Sequence, residues 1–316
     1  MQNDPMQNHD LVSQLIRDFI EEKRSERFWR NLRFFIVLII LLGVLCLLFI
    51  PSSSGTLSEG EGSNYVSLVR LEGMIAPGEN FSAETVLPLL TDAFKDKDAV
   101  GVIIDINSGG GTPVQASIIH DAILRLKKQY HKKVIVVGED MLASGAYFVA
   151  VAADKIYVNP NTITGSIGVI MKGFGFPELI KKIGIERRVY TSGINKDRLD
   201  PFLPQTPDDI AKIKQVISEV HTNFDDMVLA GRKGKLHGDP NSLFTGDFWS
   251  GVGALQLGLV DGLGNLDDVM VTEFKVARYK DYSETQPFLQ MLANQAGAEF
   301  HLILNDTETK LLEKFN

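Results

Sequence analysis

One hydroxyl stands in a run of residues with almost no side chain. In "GEDMLASGAYFVAVAADKIYV", residues 138–158, Ser144 is surrounded by Ala143, Gly145, Ala146, Ala150, Ala152 and Ala153. The run follows the apolar segment "VIVVG", where a buried strand should give way to a helix. A serine at such a junction sits in the positive end of the helix dipole, and glycine lets backbone N–H groups approach a ligand without obstruction by Cβ. A second glycine-rich turn, "IDINSGGGTP" at 104–113, also ends an apolar strand. Sites in open parallel sheets form at the carboxyl ends of strands. Ser144 as nucleophile, with oxyanion donors from the N–H of Gly145 and of Gly110 or Gly111, would do acyl-transfer chemistry. The same residues also fit a plainer description, an ordinary helix cap and an ordinary flexible turn.

A serine nucleophile needs a base. The histidines, at 9, 120, 131, 221, 237 and 301, are scattered, and none sits in a suggestive turn at a strand end. A lysine serves if an apolar, enclosed pocket lowers its pKa from about 10.4 towards 7–8, a shift of about 3–5 kcal/mol. Lys155, Lys172 and Lys196 are the candidates, and spacing alone does not choose among them. The small residues let the helix start pack close to the sheet and leave room for a substrate strand.

Residues 65–282, which must position these groups, alternate strand and helix, which implies parallel βαβ units. "YVSLVRLEGMI", "AVGVIIDI", "KVIVVG" and "KIYVN" read as strands. "SAETVLPLLTDAF", "PVQASIIHDAILRLKKQY" and "GAYFVAVAA" read as helices, the second with Val114, Ile118, Ala122 and Leu126 on its inner face. A long helix is expected over 207–232, with Thr206 as cap, Pro207 in the first turn and Asp209 completing a capping box. Its apolar stripe is Ile210, Ile213, Ile217, Val220, Phe224 and Met227. "GVGALQLGLVDGLG" ends the domain with a helix, a stop at Gly258 and a short strand.

The chain has 316 residues, 44% apolar and 23% charged, as a globular protein should. A net charge of -8 argues against nucleic acid as a partner. The one cysteine, Cys46, excludes an intrachain disulfide and a cysteine metal site; no metal motif is visible and no cofactor is expected. "FFIVLIILLGVLCLLFI", residues 34–50, has the length and apolarity of a short transmembrane helix. Lys23, Arg24, Arg27, Arg30 and Arg33 precede it, which places the N-terminus in the cytoplasm and the rest outside. The segment lacks a convincing cleavage site, so an uncleaved anchor is preferred to a signal peptide. Residues 1–33 then form a cytoplasmic segment with an amphipathic helix, 51–64 a flexible linker, 65–282 the main domain and 283–316 a tail of unassigned role.

Together, "IDINSGGG", "MLASGAYFVAVAADKIYVNPNTITGSIGVI", "TSGINKDRLDPFLPQT" and "GALQLGLVDGLG" resemble the bacterial signal peptide peptidase A family over about residues 65–270, in its short, single-domain form. The resemblance implies an α/β, ClpP/crotonase-like parallel-sheet βαβ domain behind a single N-terminal transmembrane helix, anchored in the bacterial cytoplasmic membrane with the catalytic domain outside. It implies a Ser–Lys dyad of Ser144 and Lys196, with Ser166 of "TGSIG" holding the lysine amine. It also implies oxyanion donors at Gly111 and Gly145. Gly110 and Tyr147 are expected to contact substrate. Ring-like homo-oligomers, membrane lipid and peptides such as remnant signal peptides are the expected partners. Gly109 departs from the family pattern, where proline usually stands and stiffens the turn; Ala146 replaces the commoner glycine of "ASGGY". Two other readings compete: a non-proteolytic peptide-binding or quality-control scaffold, and crotonase-like acyl-CoA chemistry. The second is disfavoured because an extracytoplasmic domain rarely meets CoA.

Overall fold

The computed structural model describes residues 31–38 and 64–283. Residues 31–38 are helical and exposed. Most of the expected span at 34–50, the amphipathic segment, all but the last residue of the 51–64 linker, and the tail beyond Ser283 lie outside the described residues. Among the described residues no helix is long and apolar enough to cross a membrane.

From Tyr65 the chain builds one mixed α/β sheet of eight strands. The first is β1 (Tyr65–Glu72), followed by helix α1 (Ala83–Lys95), β2 (Ala99–Ser108), α2 (Pro113–Tyr130) and β3 (Val134–Ala143). Next come α3 (Gly145–Ala150), β4 (Lys155–Val158), β5 (Ile163–Gly165), α4 (Pro177–Lys182) and α5 (Pro207–Gly231). Beyond a short turn of helix lie β6 (Phe248–Ser250), α6 (Gly251–Gln256), β7 (Gly262–Leu263), α7 (Leu266–Val269) and β8 (Tyr279–Asp281). The main path runs β6-β5-β3-β2-β1-β8, with β4 and β7 branching from β3. All pairs are parallel except β5 with β6.

Both faces of the sheet are covered, which is why β2 and the first half of β3 read as unbroken apolar runs. Val102, Ile104, Val134 and Val136 pack with the helices α1, α2 and α3. Ile103, Ile135 and Val137 face the other way, against Val269 and Met270. The inner face of α2 is rotated from the expected one. Ala122 and Leu126 are buried as expected, with Ala116, Ile119 and Ile123, while Val114 and Ile118 are exposed. An i+4 series overshoots each 3.6-residue turn by about 40°, so it does not track one face for long.

β3 runs farther than the "VIVVG" segment because it serves two neighbours. Ile135–Gly138 pair with β4, and Met141–Ala143 pair with β5. Between these halves its register with β2 slips, from Ile106 opposite Gly138 to Ser108 opposite Leu142. The extra residues form a bulge, a device that bends a strand and re-aims its end. Helix α5 starts as expected. Thr206 Oγ1 accepts from the Asp209 N–H, and Asp209 accepts from the Thr206 N–H. Of its expected apolar stripe only Phe224 is buried, joined by Val228; the N-terminal part leaves the body of the domain.

Candidate active site

Ser144 is the residue at which β3 becomes α3. Its N–H donates to Gly165 O at 2.8 Å, and its carbonyl accepts from Phe148 N–H at 2.9 Å. Meeting both demands holds it at φ 53, ψ −125, a conformation a non-glycine residue rarely adopts. Such strain costs about 1–3 kcal/mol and persists only where the surroundings enforce it. Here the sheet fixes one side and the helix start the other.

The glycine turn after β2 lies against this junction. Gly110 has φ 99, and a Cβ there would sit 2.6 Å from Gly145 N and 2.8 Å from Ser144 Cβ. The turn is clamped from behind, Ile75 N–H donating to Gly110 O at 3.0 Å and Thr112 N–H to Ile75 O at 2.7 Å. A Cβ on Gly111 would fall 2.0 Å from Ile75 O, and one on Gly145 would fall 3.2 Å from Gly111 N. The N–H groups of Gly111 and Gly145 donate to no acceptor among the described residues. Two free donors beside one hydroxyl are the requirement for holding an oxyanion.

Ser144, Gly111 and Gly145 line one small cavity of about 100 Å³. Its apolar walls come from Ala116, Phe148, Ile170 and Phe224, with Asn223 as a polar member. Phe148 and Phe224 pack at 5.1 Å between centroids, and Phe148 meets the buried His120 edge-on at 5.2 Å. Sequence reading did not assign Phe148, Ile170 or Asn223 to the site. Phe224 stood in the α5 stripe, but nothing in periodicity distinguishes a core contact from a cavity wall.

The remaining expected residues divide. Ser166 follows Gly165, the acceptor of the Ser144 N–H; it has φ 51, and its N–H donates to Asp247 O at 2.7 Å. Gly110 is buried behind Ser144 and shapes the turn rather than facing a ligand. Tyr147 does not reach the cavity as expected. It is fully buried, and its hydroxyl donates to Leu259 O at 2.6 Å, because position 147 points from α3 into the core. Lys155 is engaged at 2.8 Å with Glu273, whose carboxylate raises the lysine above its ordinary value. Lys172 and Lys196 are exposed, and neither lines the cavity. From Gly168 to Asn223 no residue is buried, so the described residues give Lys196 no apolar enclosure.

Residues 126–280 match the description "Peptidase family S49". A putative protease of Methanocaldococcus jannaschii is 31% identical over 247 residues, covering 75% of this chain and 78% of that protein. The chain belongs to peptidase family S49. A putative signal peptide peptidase SppA of Enterococcus faecium is 26% identical over 279 residues, 82% of this chain and 79% of that one. A protein of Brucella melitensis named Na(+)/H(+) antiporter NhaA is 48% identical over 206 residues, 64% of this chain. This S49 chain spans only 28% of the length of that Brucella protein.

Proposed function

We propose that the chain is a serine endopeptidase that hydrolyses extended apolar peptides, remnant signal peptides among them. The observation that carries this is the strained Ser144, set beside the unengaged N–H groups of Gly111 and Gly145 at the mouth of an apolar cavity. Membership of S49 supports it. In this reading neutral Lys196 Nζ takes the Ser144 hydroxyl proton as Oγ attacks the scissile carbonyl. The oxyanion accepts from Gly111 and Gly145, and the collapsing intermediate expels an amine that takes the proton back. Water then hydrolyses the acyl-enzyme by the same route. The cavity receives an apolar side chain next to the scissile bond.

The dyad requires Lys196 to be dry. Phe174, Tyr190 and Ile194, in the same segment of the chain as Lys196, are 82%, 90% and 94% exposed. Large apolar side chains left in water mark a surface that a partner covers. Ring-like assembly of copies, on the outer face of a membrane to which residues 34–50 anchor the chain, would cover them and enclose the amine.

Fluorogenic peptides with apolar residues before the scissile bond test this on the full chain in detergent. The wild type is expected to cleave them, with Ser144→Ala and Lys196→Ala reduced at least about a thousandfold while remaining folded. Equal slow hydrolysis by wild type and Ser144→Ala would end the reading. The exposure of Lys196 favours one alternative, a scaffold that binds extended peptides without cutting them. A serine-reactive phosphonate that labels Ser144 excludes it; peptide binding without labelling supports it.

A further inference from the structure

The face of the sheet opposite the helices carries a second polar centre. Asp105 on β2 shares this face with Ile103, and Arg70 on β1 shares it with Leu68. A cleft of about 600 Å³ opens there, lined by Arg70, Asp105, Glu139, Asp140, Asp267 and Tyr279. Arg70 Nη1 lies 2.7 Å from Asp105 Oδ2 and 4.0 Å from Glu139 Oε1, while its Nε donates to Asp281 at 3.1 Å.

Asp105 is only 3% exposed, and its other oxygen, Oδ1, has no hydrogen-bond partner among the described residues. A carboxylate only accepts, so Glu139 satisfies that oxygen only when one of the two acids is protonated. Burial first, then the charge of Glu139, push Asp105 up to about 7 against the pull of Arg70. The other charged or titratable groups around the pair are Glu72 on β1, Asp140 on β3, Asp267 on α7, and Tyr279 and Asp281 on β8.

Their place in the chain gives the pair a lever. Gly110 follows Asp105 by five residues, and Ser144 follows Glu139 by five. Glu139 lies in the β3 bulge, where the register with β2 slips. Among the bonds that hold that bulge are those from Met141 N–H to Asn107 Oδ1 at 3.2 Å and from Thr162 Oγ1 to Glu139 O at 2.5 Å.

We propose that Asp105 and Glu139 are positioning residues: a carboxyl–carboxylate pair holding one proton that clamps β2 to the bulge of β3 and so sets the gap between the oxyanion turn and Ser144. Release of that proton to solvent leaves two anions with one guanidinium, already shared with Asp281. The strands ease apart where β3 is irregular, and both active-site turns loosen. The inference adds a pH control to the peptidase site, but its structural readout does not depend on hydrolysis.

Hydrogen–deuterium exchange of the full chain at about pH 6 and about pH 8.5, corrected for intrinsic rates, tests it on peptides covering 105–113 and 139–148. Wild-type protection in both segments is expected to fall several-fold at the higher pH. In Asp105→Asn and in Glu139→Gln the difference should vanish, because an amide donates to the remaining carboxylate at either pH. Wild-type protection that is equal at both pH values overturns the proposal, as does a pH difference that survives in the variants. If Asp105→Asn does not fold, the half-exposed Glu139→Gln carries the test. Where peptides are cleaved, kcat rather than KM should show the inflection in the wild type alone. A protection change without any hydrolysis removes the peptidase reading and keeps the pair.

Discussion

Asp105 and Ser144 are held in states that neither would choose alone, one by burial among like charges and the other by backbone geometry. For Asp105 this has a thermodynamic signature. Its pKa is about 7 in the folded protein, whereas an unfolded chain gives about 3.9. Between those values the folded state holds a proton that the unfolded state has lost, so this group makes stability fall as pH rises from about 4 to about 7. Glu273, ion-paired with Lys133 and Lys155 and held down to about 2, acts in the opposite sense: its contribution is present above about 4.3 and is lost as pH falls towards 2. Urea unfolding at about pH 3, 5 and 8 separates them. Asp105→Asn should flatten the decline from pH 5 to pH 8 and leave the acid limb between pH 5 and pH 3 unchanged. An unaltered decline in the variant would mean that another group titrates there.

At the scale of elements, the question is how α5 supports a cavity while its first turns stand clear of the core. Its anchor is the C-terminal end. Arg232, 2% exposed, donates from Nε and Nη2 to Gly258 O and pairs through Nη1 with Asp261 at 2.5 Å. Asp261 also accepts from the Ile156 N–H, so this knot ties the helix to β4 and to the turn after α6. Gly258 is obligatory at that turn, with φ 71 and a Cβ position 1.8 Å from Lys235 O. Arg232→Ala leaves Asp261 with Lys235 alone for ionic company and should destabilise the domain by about 3 kcal/mol, the lower end for breaking a buried pair. A thermal melt should then drop by roughly 6–12 °C. Because Phe224 and Val220 sit on the same helix and line the cavity, binding of apolar peptides should weaken with it.

For the whole molecule, the stretch from Gly168 to Asn223 is the feature that packing among the described residues does not explain. Replacing both Tyr190 and Ile194 by Asp should leave the melting temperature within a few degrees, since neither contributes to the core. If copies cover this surface, sedimentation of the wild type in detergent gives a species several times the mass of one chain. The double variant should then sediment as a monomer and lose hydrolysis. Identical sedimentation of the two would dissociate the surface from assembly, and with it the route proposed for drying Lys196.

The sequence by itself determined the strand–helix order through β4, the capping box at Thr206 and Asp209, the stop at Gly258, and the placing of a glycine turn and of a serine each at the end of a strand. These are local properties, set by periodicity, cap chemistry and φ within a few residues. Only the tertiary structure decided the short strands β5 and β6 that hold Gly165 against Ser144, the burial of Tyr147, the true inner face of α2 and the Asp105–Glu139 centre. Each depends on which distant segment packs alongside. A three-residue strand has too little pattern to announce itself, and a carboxyl's protonation is set by neighbours from other strands. The choice among Lys155, Lys172 and Lys196 belongs to the same class: packing engages Lys155 with Glu273, while a lysine becomes a base only when something encloses it.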